Sequence, residues 1–162
     1  MRKTNAMRML DARQVPYQTH VFTSDIHSAQ GAAHMLDAHP SQVYKTLVVV
    51  REQGRPLLVM VPGNKELDLR SLAAQLGEKK LRMASHKEAE RLTGLQTGGI
   101  SALALLNKGF SVYADADILS LPRVYISGGR RGLDLSLDPH DLLLVTGAQT
   151  VACDMNHHPE VE

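Results

Sequence analysis

Residues 124–137 read VYISGGRRGLDLSL, and this stretch decides what kind of sheet the chain builds. Val124 and Ile126 alternate with Tyr125 and Ser127, and Leu133, Leu135 and Leu137 alternate with Asp134 and Ser136. Both arms have the period of two that belongs to strands. Gly128-Gly129-Arg130-Arg131-Gly132 joins them as a hairpin. A hairpin needs one or two glycines where φ is positive. Three glycines and two adjacent arginines exceed that need. Two readings stay open: a solvated turn with arginines for solubility, or bare backbone approaching an anion, with guanidiniums able to hold phosphate.

Upstream, Thr4 is placed to cap a helix whose Ala6, Met9, Leu10 and Arg13 share a face, and Pro16 ends it. PYQTHVF (16–22) alternates as a strand. Residues 28–38 have helical spacing at Ala29, Ala32, Ala33 and Leu36, closed by His39-Pro40. VYKTLVVV (43–50) is apolar and β-branched and reads as a central strand, with PLLVMVP (56–62) as its partner. ELDLRSLAAQLG (66–77) is a helix stopped by Gly77. KKLRMA (79–84) is a short strand. Ser85 and Glu88 make a capping-box pattern for the helix HKEAERLT (86–93), which Gly94 ends. FSVYAD (110–115) is a strand, and Asp138-Pro139 opens a helix through Leu144. Hairpins mixed with crossovers predict a mixed α/β fold: one domain, residues 1–150, built on a twisted mixed β-sheet with flanking helices, then a loose tail at 151–162.

The 162 residues suffice for a single core. A net charge of +1 leaves any RNA contact to a local patch. The lone Cys153 rules out an internal disulfide framework and fits a reducing compartment. No apolar run approaches membrane-spanning length, and the basic N-terminus lacks the apolar run of a signal peptide, so a cytoplasmic protein without membrane contact is expected. Cys153, His157 and His158 are not expected to form a functional metal site, because they fall in the tail. Walker, dinucleotide and serine-elbow motifs are absent.

Three features carry chemistry. Lys45 sits among apolar neighbours in VYKTLVVV, where a charge is costly unless it faces a cleft or a partner. It reads either as an edge lysine reaching water or as a cleft lysine that binds phosphate, orients a carbonyl or acts as an amine nucleophile. Gly98-Gly99, in GLQTGGISALALL (94–106), is a plain turn or a pair of bare N–H groups able to hold a carbonyl oxygen. Ser127-Gly128-Gly129 with Arg130 and Arg131 repeats that ambiguity.

In order, VYKTLVVV, LTGLQTGGIS (92–101) and RVYISGGRRGLDLSLDPHDLL (123–143) resemble the YbaK family, the YbaK/prolyl-tRNA synthetase associated domain, over about Ala6 to Gly147. The resemblance implies a trans-acting aminoacyl-tRNA deacylase that hydrolyses the ester of a mischarged tRNA, with a small residue such as cysteine or alanine on the proline tRNA. It implies that Lys45 is the functional lysine with Thr46 beside it, that Gly98, Gly99 and Ile100 line the aminoacyl pocket, and that Ser127 and Gly128 form the opposite wall. Phe22 falls at an aromatic position of the family, and Arg130 and Arg131 lie where RNA phosphates can arrive. The implied partners are the aminoacyl-tRNA acceptor end and prolyl-tRNA synthetase, with no DNA, no cofactor and a monomer or weak dimer. Where better-known members continue with a Pro-Leu-Gly-Gln run, this chain has Ala102-Leu103-Ala104-Leu105, which predicts a more apolar pocket edge. Two other readings remain: a non-catalytic aminoacyl-tRNA or synthetase binding module, and a Schiff-base enzyme using Lys45.

Overall fold

The computed structural model describes residues 2–23 and 29–153. Thr4 caps α1 (Asn5–Ala12) as expected, its hydroxyl accepting from Met7 N–H and donating to the Gly128 carbonyl at 2.6 Å. Met7 rather than Met9 turns inward with Ala6 and Leu10. β1 (Gln18–Val21) pairs antiparallel with β7 (Leu133–Leu137), and β7 pairs with β6 (Val124–Arg130). These three strands form a sheet of their own, in the order β1-β7-β6.

The second sheet has five strands, in the order β4-β2-β3-β5-β8. The expected mixed sheet is thus divided in two. β2 (Tyr44–Arg51) pairs antiparallel with β3 (Leu57–Pro62) and, at Val49–Arg51 alone, with β4 (Leu81–Met83). β5 (Ser111–Asp115) joins β3 in parallel, and β8 (Gln149–Val151) joins β5 in parallel. Every residue of β3 is buried, as its unbroken apolar run requires.

α2 (Ala29–Leu36) sets Ala32 and Ala33 against Val43 and Phe22. α3 (Leu69–Leu76) covers one face of the larger sheet and ends at Gly77 with φ +70°, the left-handed cap that its glycine suits. α4 (His86–Thr93) starts at Ser85, whose hydroxyl accepts from Glu88 N–H. Only this half of the expected capping box forms, because the Glu88 carboxylate turns to Arg82 at 2.7 and 2.9 Å. α5 (Pro139–Thr146) follows its Asp138 cap.

Ala102–Leu105 forms a buried 3-10 turn packed against the main core. The chain stays packed past residue 150. Val151 and Cys153 are buried in the core under α3, and Cys153 N–H donates to Asp115. Residues 151–153, which the sequence places at the start of the tail, are thus held by the larger sheet. Residues 154–162, with His157 and His158, lie outside the described residues. No helix among the described residues is long and apolar enough to cross a membrane.

Candidate functional site

The two sheets touch edge to edge and then part. β6 meets the residue just before β2 through a parallel bridge, Val43–Tyr125. On that edge β2 next gains a partner at Val48, whose carbonyl accepts from Ala84 N–H. Between these points the edge of β2 is open, and a cavity of about 710 Å³ occupies the gap. Tyr44, Lys45, Thr46, Leu47 and Val48 all line it. Side chains alternate along a strand, so Lys45 and Thr46 project to opposite faces. Tyr44 and Val48, which share Thr46's parity, pack into the main core with Ala89 and Ile100.

Lys45 is exposed at this cleft, and among the described residues no hydrogen-bond or ion-pair partner engages its ammonium. Lys65 lines the same cavity in a different state. Its ammonium lies 3.1 Å from Asp115 and 2.7 Å from Asp117. Burial pulls the Lys65 pKa down, but hydrogen bonds to Asp117 and Asp115 outweigh it and raise the value. Lys65 is thus committed to a buried carboxylate, and Lys45 is available.

The loop after α4 supplies the facing wall through Thr97, Gly98 and Ile100. Glu90 accepts from Thr97 N–H at 2.8 Å, and Arg131 Nε donates to the Thr97 carbonyl at 2.6 Å. Gly98 has φ +89°, which suits glycine alone at low cost. Among the described residues no acceptor takes the N–H of Gly98 or Ile100. Gly99 differs from the expectation. Its N–H is already spent on the Gln96 carbonyl at 2.8 Å, and it lies buried behind the wall. A Cβ there would sit 2.7 Å from Arg130 Cα, so this glycine exists to let two backbones touch.

The opening hairpin resolves similarly. Ser127 pairs with Asp134 and Arg130 with Leu133, so Gly128 and Gly129 are extra residues in a bulge. Ser127 lines the cleft, its hydroxyl accepting from Gly129 N–H. Gly128 is buried away from it, with its carbonyl on Thr4 and a virtual Cβ 2.7 Å from the Leu133 side chain. Arg131 braces the Thr97 loop, and exposed Arg130 reaches the Arg2 carbonyl at 3.1 Å. Phe22 joins the cavity wall beside Ala32. Ala102–Leu105 does not line the cleft, so the departure from the family's pattern falls in the core and leaves the pocket edge untouched.

Asp134 is the residue that the sequence reading missed. It lines the cavity at 7 % exposure, and burial pushes its carboxyl up to about 7. Its alternation with Leu133 and Leu135 places it on the opposite face of β7 from those leucines. The other face of β7 is covered too, which no pattern within β7 announces. Cys153 is buried with its thiol pushed up to about 12, chiefly by that burial. Among the described residues no three His, Cys, Asp or Glu side chains gather as a metal site would require.

A mixed α/β fold whose two sheets part around a lysine and a bare-backbone loop defines a narrow class. Residues 23–144 match the family model of the aminoacyl-tRNA editing domain, and the chain belongs to that family. It is 36% identical over 149 residues to the proposed Cys-tRNA(Pro)/Cys-tRNA(Cys) deacylase EbsC of Enterococcus faecalis, covering 91% of this chain and 90% of that one. It is 31% identical over 85 residues to the proline–tRNA ligase of Aquifex aeolicus, spanning 52% of this chain but 15% of the ligase. Among solved structures, a proposed trans-editing enzyme for prolyl-tRNA synthetase superposes with a TM-score of 0.79 at 30% identity, covering 94% of this chain and 98% of that one.

Proposed function

We propose that this protein is a trans-acting aminoacyl-tRNA deacylase whose active site is the cleft between the two sheets. Its substrate is an ester of a small amino acid, cysteine or alanine, on the proline tRNA. The observation that carries the reading is the uncommitted Lys45 ammonium in the same cavity as the bare Gly98 and Ile100 N–H groups. Membership of the editing family and the likeness to EbsC support it.

Each group has a role set by its chemistry. A compact ammonium suits the terminal phosphate or ribose, and Lys45 holds the ester in place through it. The N–H groups of Gly98 and Ile100 polarise the ester carbonyl and stabilise the oxyanion formed on attack. The attacking oxygen is that of a water: it adds to the ester carbonyl, the bond from that carbon to the ribose oxygen breaks, and the water's proton passes to the leaving ribose oxygen, freeing the amino acid. Asp134, when ionised, gives the substrate α-ammonium a counter-charge in a desolvated wall. Phe22, Thr46 and Ser127 shape the remaining surface, and Gly99 and Gly128 act from behind it. Prolyl-tRNA synthetase is the implied partner that delivers the mischarged tRNA.

Release of labelled amino acid from a panel of mischarged tRNAs tests this reading. Rapid release of cysteine or alanine from the proline tRNA is expected. Binding without release would make the protein a recognition module. Borohydride trapping of a carbonyl compound on Lys45 would replace it with a Schiff-base enzyme.

A further inference from the structure

The open edge of β2 carries a second binding element, and it is main chain. In the β2–β3 ladder, Gly63 N–H donates to the Val43 carbonyl, so Val43, Lys45, Leu47 and Val49 are the residues whose backbone groups face β3. Pro62, opposite Tyr44, fits this phase, because it has no N–H to give. Tyr44, Thr46 and Val48 therefore turn their N–H and C=O groups to the other edge. The Val48 carbonyl is taken by Ala84. The Val43–Tyr125 bridge occupies the Tyr44 end. Among the described residues no strand pairs with Thr46 on that side, and Thr46 lines the cavity there.

An edge with a single free residue is too short to seat a peptide strand, which needs several such pairs. It suits one planar group presenting a donor beside an acceptor. The cavity, about 710 Å³, is also far larger than an alanyl or cysteinyl group requires. Ala84, Ala89 and Ile100 supply an apolar wall in which a flat ring can bury its face.

We propose that the Thr46 backbone reads the adenine of the tRNA's terminal nucleotide. The base amino group donates to the Thr46 carbonyl, and the adjacent ring nitrogen accepts from Thr46 N–H. The inference rests on the deacylase reading, which puts a terminal adenosine beside the ester, but it concerns base recognition rather than hydrolysis. It orients the substrate. The base extends the plane of β2, Lys45 on one face of that plane meets the phosphate or ribose, and the aminoacyl group is left for the Gly98–Ile100 wall and Asp134.

The test uses a stable amide, 3′-deoxy-3′-(alanylamino)adenosine, against the same compound built on purine, which lacks the amino group. The purine compound is expected to bind roughly tenfold more weakly, the effect of leaving one buried acceptor unpaired. The amide proton of Thr46 is expected to move downfield as the adenosine compound saturates the protein. Equal affinities, an unmoved Thr46 amide or absence of binding would each overturn the proposal. Esters on intact tRNA test hydrolysis separately: base discrimination without release would sink the deacylase reading alone, and release with equal affinities would sink base recognition alone.

Discussion

Two lysines line one cleft and have opposite fates. Lys65 is held between Asp115 and Asp117 at the end where β5 and Cys153 pack, while Lys45 has no partner among the described residues at the end where the sheets part. A cation already neutralised by a buried carboxylate contributes structure and has little left for an anionic ligand. An unpaired cation at a cavity mouth has the reverse properties. The difference follows from neighbours distant in sequence, since Asp115 and Asp117, which hold Lys65, lie about fifty residues along the chain.

The largest effect expected from this contrast is kinetic. Lys45→Ala should lower deacylation by about 100-fold, the scale of losing substrate positioning, with the melting temperature nearly unchanged. Lys45→Arg should recover part of that, because a planar fork keeps the charge but not its shape. Wild-type rates in folded Lys45→Ala would erase the distinction between the two lysines. Lys65→Met should do the opposite. Asp115, 1% exposed, would keep a buried charge without its cation, at a cost of roughly 3 kcal/mol. That shift is visible in thermal melting, while deacylation measured well below the transition should stay close to wild type.

Asp134 tests whether the cleft wall trades stability for binding. Its carboxyl is pushed up to about 7 by burial, so the folded protein retains a proton between about pH 4 and 7 that the unfolded chain releases. The folded state then binds more protons across that window, and stability falls as pH rises through it. Asp134→Asn should therefore match wild type near pH 4 and exceed it by pH 8, by on the order of 3 kcal/mol. The same variant should bind aminoacyl substrates more weakly. A variant no more stable at pH 8 than wild type would mean that Asp134 ionises at no cost.

The strands and helices were legible because each shows its own period and its own cap. Thr4, Ser85 and Asp138 announce helix starts, and Gly77 and Gly94 announce ends. The division of the sheet was not legible. The point where β2 leaves β6 has no local signature, since pairing partners are chosen across long stretches of chain. The packing of residues 151–153 was illegible for a related reason. Ala152 is held by Gln75, and Cys153 by Asp115 and Asp68, all remote in sequence. Around the cleft, glycine pairs mark the two loops that border it but not the different contacts of each residue. Gly98 faces the cleft, while Gly99 serves contact with the hairpin backbone. Gly99→Ala should accordingly destabilise by about 2 kcal/mol, with activity lost only in step with folding. A selective loss of rate in well-folded Gly99→Ala would return that residue to the site.

The smallest effects separate Arg130 from Arg131, neighbours that the sequence presents as equals. Arg131 is partly buried and donates to the Thr97 carbonyl, so it positions the wall that carries Gly98 and Ile100. Arg131→Ala should cost about 1 kcal/mol of stability and lower the turnover rate, because the loop loses its brace. Arg130 is exposed and among the described residues its side chain reaches only the Arg2 carbonyl, so its charge is available to a phosphate of the acceptor end. Arg130→Ala should leave melting unchanged, raise the apparent substrate constant for aminoacyl-tRNA, and flatten its logarithmic salt dependence by about 0.7 for one lost single-strand contact. Turnover at saturating tRNA should change little, since Arg130 is not placed at the ester. Titrating both variants at several salt concentrations beside a melting curve distinguishes the roles. An unchanged salt slope in Arg130→Ala would remove this arginine from the RNA surface. A flattened slope in Arg131→Ala without loss of stability would transfer the phosphate contact to it.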